Sequence, residues 1–185
     1  ALPISLAHWP DLGLIVWAFP NDPQLITLAA TVDGEQVRAH LPYASLPPGF
    51  NRPADIASVG VEVVRYKPEV RCTIRYRLHS NKPPAGRELT LYGKTYASAR
   101  GKEIYRYIET LWRESVNGAH HFLVAQPLGY DETLHMVWQE AVPGVALSSV
   151  LTAANDDHYL SLAARGLASL HQSALAPPHR ITTAA

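Results

Sequence analysis

The sequence predicts an α+β fold, an antiparallel five-stranded sheet with one long helix, and three observations carry that prediction. In residues 71–78, Cys72, Ile74, Tyr76 and Leu78 fall on one face while Arg71, Thr73, Arg75 and Arg77 take the other. That two-residue period belongs to a strand buried on one side. Further on, Ile104, Tyr107, Ile108, Leu111 and Trp112 recur at helical spacing and make one apolar stripe. After Pro143 and Gly144 the composition turns helical.

Taken in order, the first 55 residues are proline-punctuated and weakly patterned. Leu12-Gly-Leu-Ile-Val-Trp-Ala-Phe19 reads as a buried strand. Asn21-Asp-Pro-Gln-Leu-Ile-Thr-Leu28 reads as a short helix with Asp22 as its cap and Pro23 at the first helical position. Residues 46–53 read as a loop, and 1–55 as an N-terminal extension that packs on the next domain, with no chemistry legible in it.

From Ile56 the pattern sharpens. Residues 61–67 and 71–78 read as strands joined tightly at Lys67-Pro-Glu-Val70, and 81–86 as a turn into a third strand, 88–96. The striped helix spans about 100–115, and two strands follow, around the proline between Phe122-Leu-Val-Ala and Leu128-Gly-Tyr, and over 133–140. Residues 56–141 make one domain, 142–175 begin a helical second one, and 176–185 form a tail. Helices are expected over 146–151 and 157–171.

Composition bounds the function. The 185 residues are 47% hydrophobic and 17% charged with zero formal net charge, so the whole chain advertises neither nucleic acid nor an anionic membrane as a partner. A single cysteine, Cys72, excludes an internal disulfide and favours the cytoplasm. No motif surrounds it, so it reads as a small buried hydrophobe. No apolar run approaches the ~20 residues of a membrane span, and the start shows no basic, apolar leader pattern.

Lys94 stands near the end of the strand Glu88-Leu-Thr-Leu-Tyr-Gly-Lys-Thr-Tyr96, and the helix after it carries Glu103 near its start. With Arg65-Tyr-Lys-Pro-Glu-Val-Arg-Cys-Thr-Ile-Arg-Tyr76, Tyr92-Gly-Lys-Thr-Tyr96, Gln139-Glu-Ala-Val-Pro-Gly144 and Leu167-Ala-Ser-Leu-His171 in this order, the chain resembles the aminoglycoside phosphotransferase and choline kinase family over roughly residues 55–173. The resemblance implies a protein-kinase-like N-terminal lobe followed by the first helices of a C-terminal lobe. It implies that Lys94 contacts the α- and β-phosphates of ATP and that Glu103 is its helix partner. A carboxylate beside such a lysine would keep it protonated and aimed. Arg65, Lys67 and Arg71 occupy the place of the phosphate-covering loop. Here the chain departs from protein kinases, since no Gly-x-Gly-x-x-Gly is present, and side-chain contacts replace a backbone cradle. Gln139, Glu140 and Ala141 take the place of the hinge that holds adenine, with Met136 and Val137 lining the base pocket.

Each of these residues also has a plainer reading. Lys94 is a solvated strand end, Glu103 a helix N-terminal carboxylate, and the arginines the wet face of a sheet. His171 packs or caps its helix. The family's His-Gly-Asp-x-x-x-x-Asn loop and magnesium-binding aspartate are not found after His171, where residues 172–185 hold no Asp, Glu or Asn. Asp156 and Asp157 precede the last helix and read as its N-terminal cap. No catalytic or metal-binding residue is therefore assigned, although Mg²⁺ is expected for the family. The expected function is the nucleotide-binding lobe of an ATP-dependent phosphotransferase acting on a hydroxyl acceptor, inactive alone. The alternatives are a non-catalytic nucleotide-binding or protein-interaction module, and, disfavoured by the charge balance, a nucleic-acid-binding face. Leu160, Leu162, Leu167 and Leu170 are expected to lie exposed and to meet a C-terminal lobe, a second copy or another protein.

Overall fold

The computed structural model describes residues 6–84, 86–118, 122–152 and 156–173, so the tail expected over 176–185 lies outside the described residues. The chain forms two units, residues 1–105 with 126–141, and residues 106–125 with 142–185.

The first unit begins with a hairpin. β1 (Leu6–Trp9) pairs antiparallel with β2 (Leu14–Trp17). Gly13 between them has φ +59°, a left-handed turn conformation that glycine adopts without steric cost. The strand expected to be buried over 12–19 is thus only four residues long, and Leu14, Ile15 and Val16 are exposed. An apolar run suggested burial on both faces, but a two-stranded ribbon has a single neighbouring strand and covers little. Trp17 is tied in differently, its indole N–H donating to the Tyr66 hydroxyl at 3.3 Å.

The helix expected over 21–28 is not formed. Asp22 Oδ1 does accept from the N–H groups of Gln24 and Leu25, both at 2.8 Å, as a cap would. Its other oxygen accepts from the Tyr66 O–H at 2.6 Å and the Glu69 N–H at 2.8 Å, which fastens the segment to a distant turn. Helix begins only at α1 (Leu28–Thr31), followed by α2 (Gly34–Arg38), whose N-terminus is capped by Asp33.

β3 (Ile56–Lys67), β4 (Arg71–Ser80) and β5 (Glu88–Tyr96) are followed by α3 (Arg100–Val116), which begins in this unit and ends in the other. β6 (Pro127–Asp131) and β7 (Met136–Glu140) complete a five-stranded antiparallel sheet in the order β3-β4-β5-β7-β6. Three strands, a helix and two strands are as the pattern predicts, except that β6 starts at Pro127, residues 122–126 lack regular structure, and the strand expected from 133 starts at Met136 after a turn over 132–135.

One face of the sheet is the core. Cys72, Ile74, Tyr76, Leu78, Leu91, Met136 and Trp138 are buried there, against Leu25, Leu28, Val37, Leu41, Leu46 and Phe50. The Tyr76 hydroxyl donates to the Thr31 carbonyl at 2.7 Å, pinning the two layers together. Gly93 is where the ring of Tyr76 and the sulfur of Met136 come closest to the backbone, since an added Cβ would meet them at 2.7 and 2.5 Å. Residues 20–50 therefore supply the second layer that a one-sided sheet requires, and the extension packs on the next domain as expected, sharing one core with it.

In the second unit lie the later turns of α3, α4 (Leu147–Val150) and α5 (Asp156–His171). Asp156 and Asp157 occupy the first turn of α5, where carboxylates favour the helix dipole. Leu160, Leu162, Leu167 and Leu170 are exposed, as expected. Among the described residues no helix is long and apolar enough to cross a membrane.

Candidate functional site

Strand register decides which side chains meet on the sheet face opposite the core. Arg65 lies opposite Thr73, Thr73 opposite Lys94, Lys94 opposite Val137, and Val137 opposite Tyr130. Residues directly opposite share a face, so these five form one row across all five strands. One step toward the β3–β4 turn the row is Lys67, Arg71 and Tyr96. One step the other way it is Glu62, Arg75, Tyr92 and Gln139.

A register shift between Val63 and Arg65 makes this possible. Val61 and Val63 pair with Tyr76 and Ile74 on the core side, and strict alternation would send Arg65 there too. The extra residue of a β-bulge reverses the parity. Arg65 and Lys67 are thereby delivered to the face of Lys94.

Charge on this face is unevenly balanced. Glu62 reaches the guanidiniums of Arg75 at 3.0 Å and Arg77 at 2.9 Å, and Arg75 also donates to the Tyr92 hydroxyl at 3.1 Å. Arg65, Lys67, Arg71 and Lys94 make no ion pair among the described residues. The Lys94 ammonium lies 5.5 Å over the ring of Tyr96. Burial, then Arg71 and then Arg65, pull its pKa below the ordinary lysine value. A lysine in a structural ion pair would shift the opposite way. What surrounds Lys94 is positive.

The remaining candidates are dispersed. Glu103 lies in the first turn of α3, half-buried. Gln139 shares the outer face, one row from Arg65 but on β7, in the row of Tyr92. Met136 pairs with Thr95 and is wholly buried on the core face, its sulfur 3.8 Å from the Tyr76 hydroxyl. The space assigned to a base pocket beside it is filled by the protein's own core. The Glu140 N–H donates to the Gln126 carbonyl, and its carboxylate accepts the Gln126 N–H, both at 3.0 Å. Ala141 follows directly after β7. Cys72 is fully buried, and burial, then the charge of Asp22, push its thiol up to about 11.

The arrangement suits a polyanion, since guanidiniums and an ammonium share a face and make no ion pair among the described residues. Among the described residues no group of three or more His, Cys, Asp or Glu could hold a metal ion.

Three features escaped the sequence reading. Asp22 ties the β3–β4 turn through Glu69. Tyr96 and Arg100 lie at the edge of the cationic group, and the parity of β5 was the available signal, since it puts Tyr96 beside Lys94. A separate hollow of about 390 Å³ is flanked by His40 and Asp131, paired at 2.9 Å. Residues so far apart in sequence leave no spacing signal.

Compared with protein-family models, curated proteins and solved structures, the chain matches none of them.

Proposed function

We propose that this chain is the nucleotide-binding lobe of a small-molecule phosphotransferase, of the aminoglycoside phosphotransferase and choline kinase type. The observation that carries the reading is the convergence of Arg65, Arg71 and Lys94 on one sheet face, none of them in an ion pair among the described residues. Like charges brought together and partly desolvated raise the free energy of the folded protein, and a bound anion reverses that cost. The phosphates of ATP are such an anion. Lys94 would hold them as a compact point charge, and Arg65 and Arg71 as planar forks able to bond two oxygens at once. The order of the motifs along the chain supports a nucleotide over an unrelated anion.

Phosphoryl transfer further requires groups that orient the acceptor hydroxyl and bind the metal. No such step is assigned to these residues, and the purified chain is expected to transfer no phosphate to alcohol acceptors above background. Detection of transfer would contradict that expectation.

Isothermal titration with ATP and AMP tests the binding role. The wild-type chain binds ATP more tightly than AMP, and Lys94→Ala weakens ATP binding about tenfold or more, the size of one lost charge-assisted contact. Arg77→Ala, opposite Thr90 and two rows from Lys94 on the sheet, leaves it nearly unchanged. Equal ATP affinity in the wild type and Lys94→Ala would overturn the assignment.

A further inference from the structure

We propose that the hollow beside β6 binds a small molecule of the phenol class, an apolar ring bearing one hydroxyl, and that ring nitrogen Nε2 of His40 accepts the hydrogen bond of that hydroxyl. The proposal does not depend on the nucleotide reading.

The hollow measures about 390 Å³, room for one or two rings, since a cavity of about 150 Å³ already holds benzene. Leu41, Pro42, Ala44 and Leu128 give it apolar walls. Gly129 (φ +155°), within β6, sets no side chain between the strand and Pro42, whose Cβ an added Cβ would approach to 3.8 Å. A glycine inside a strand commonly marks a place where something comes close to the backbone.

Most polar side chains around the hollow are already engaged. The Tyr43 hydroxyl donates to the Arg38 carbonyl at 2.7 Å, and the Ser45 hydroxyl to the Leu128 carbonyl at 2.8 Å. The Tyr130 hydroxyl and the Trp138 indole N–H are sealed from solvent and out of a ligand's reach. Asp131 accepts at both oxygens, from the Leu134 N–H at 2.7 Å and from His40 Nδ1 at 2.9 Å. A carboxylate only accepts, so Nδ1 carries the proton and the neutral ring keeps Nε2 as an acceptor. Nε2 has no partner among the described residues, and the His40 side chain is 29% exposed, open to a ligand. Asp131 is a positioning residue that fixes both the tautomer and the ring plane. A purely apolar occupant would strip water from Nε2 and return no bond, and an anion would meet the Asp131 charge. A neutral hydroxyl on an apolar ring satisfies the walls and the acceptor together.

Titration with phenol and with anisole, its methyl ether, followed by ¹H–¹⁵N NMR at neutral pH, tests the site. Anisole keeps the apolar ring and lacks the donor. In the wild type both probes shift the resonances of residues 40–45 and 128–131 saturably, and phenol binds about fivefold more tightly. His40→Asn keeps an amide N–H for Asp131 but removes the acceptor, so phenol affinity falls to that of anisole while anisole affinity holds. Asp131→Asn turns an amide N–H toward Nδ1, which moves the ring proton to Nε2 and abolishes the preference in the same way. The ¹⁵N shifts of the His40 ring report that exchange of tautomers. A pair that only ties residue 40 to β6 would not separate the two probes. The proposal is overturned by an absence of saturable shifts, by equal binding of phenol and anisole to the wild type, or by a preference that survives either substitution. Loss of both probes together in His40→Asn would overturn it as well, since the pair would then shape the hollow without selecting what enters it.

Discussion

Asp22 accepts hydrogen bonds from the N–H groups of Gln24, Leu25 and Glu69 and from the Tyr66 hydroxyl. Burial pushes its pKa up, but the bonds from Glu69, Tyr66, Leu25 and Gln24 together outweigh burial and leave it below the ordinary carboxylate value. The folded chain therefore holds this proton more weakly than the unfolded chain does. Its stabilisation is fully present above the unfolded pKa of about 4 and is lost as pH falls through the lower folded value. Asp22→Asn is expected to cost about 2–3 kcal/mol near neutrality, since it leaves buried donors poorly matched. Urea denaturation at pH 7 and pH 3 should show the gap between wild type and variant narrowing at the lower pH. A gap independent of pH would show that ionised Asp22 is not what holds the segment. Cys72 offers a simpler check at the same scale. Buried and raised to about 11, its thiol should resist a disulfide reagent in the native protein and react on unfolding.

Elements were legible where one period dominated them. The alternation in β4 and the stripe of α3 gave their types, and the tight turns gave the antiparallel order. Register was another matter. Whether Arg65 joins Lys94 depends on one extra residue in β3, and a bulge inside a run of valines leaves no mark in the pattern. Met136 shows the same limit: the reading placed it beside adenine, but pairing with Thr95 turns it to the core. Alternation tells which residues share a face, and only pairing tells which face that is. Gly93 also looked unremarkable in the sequence, yet the close approach of Tyr76 demands it. Met136 can move its flexible end, but the Tyr76 ring is held by its bond to Thr31. Gly93→Ala should therefore cost about 1–3 kcal/mol through overpacking, measured as a lower urea midpoint. An unchanged midpoint would mean that the two layers can separate slightly at no cost.

The N-terminal segment escaped the sequence reading for a different reason. Its core residues, Leu25, Leu28, Val37, Leu41, Leu46 and Phe50, sit on short helices and turns, so no period links them. Proline punctuation allowed only the reading of an extension that packs on the next domain, without saying which residues do so. In the folded first unit it is the layer that covers the sheet, and without it Cys72, Ile74, Tyr76, Leu78, Leu91, Met136 and Trp138 would face water. Burying each large apolar side chain contributes about 1.5–3 kcal/mol, while whole domains are stable by only about 5–15 kcal/mol, so the unit cannot lose half its core and stay folded. Two deletions separate this from a true extension. Removal of residues 1–17, which takes the exposed hairpin and the Trp17–Tyr66 bond, should leave a cooperative thermal transition with a modestly lower midpoint. Removal of residues 1–50 should abolish the transition and yield aggregated protein. A cooperative transition near the wild-type midpoint in the longer deletion would show that the sheet folds without its cover, and that the boundary near residue 55 is real after all.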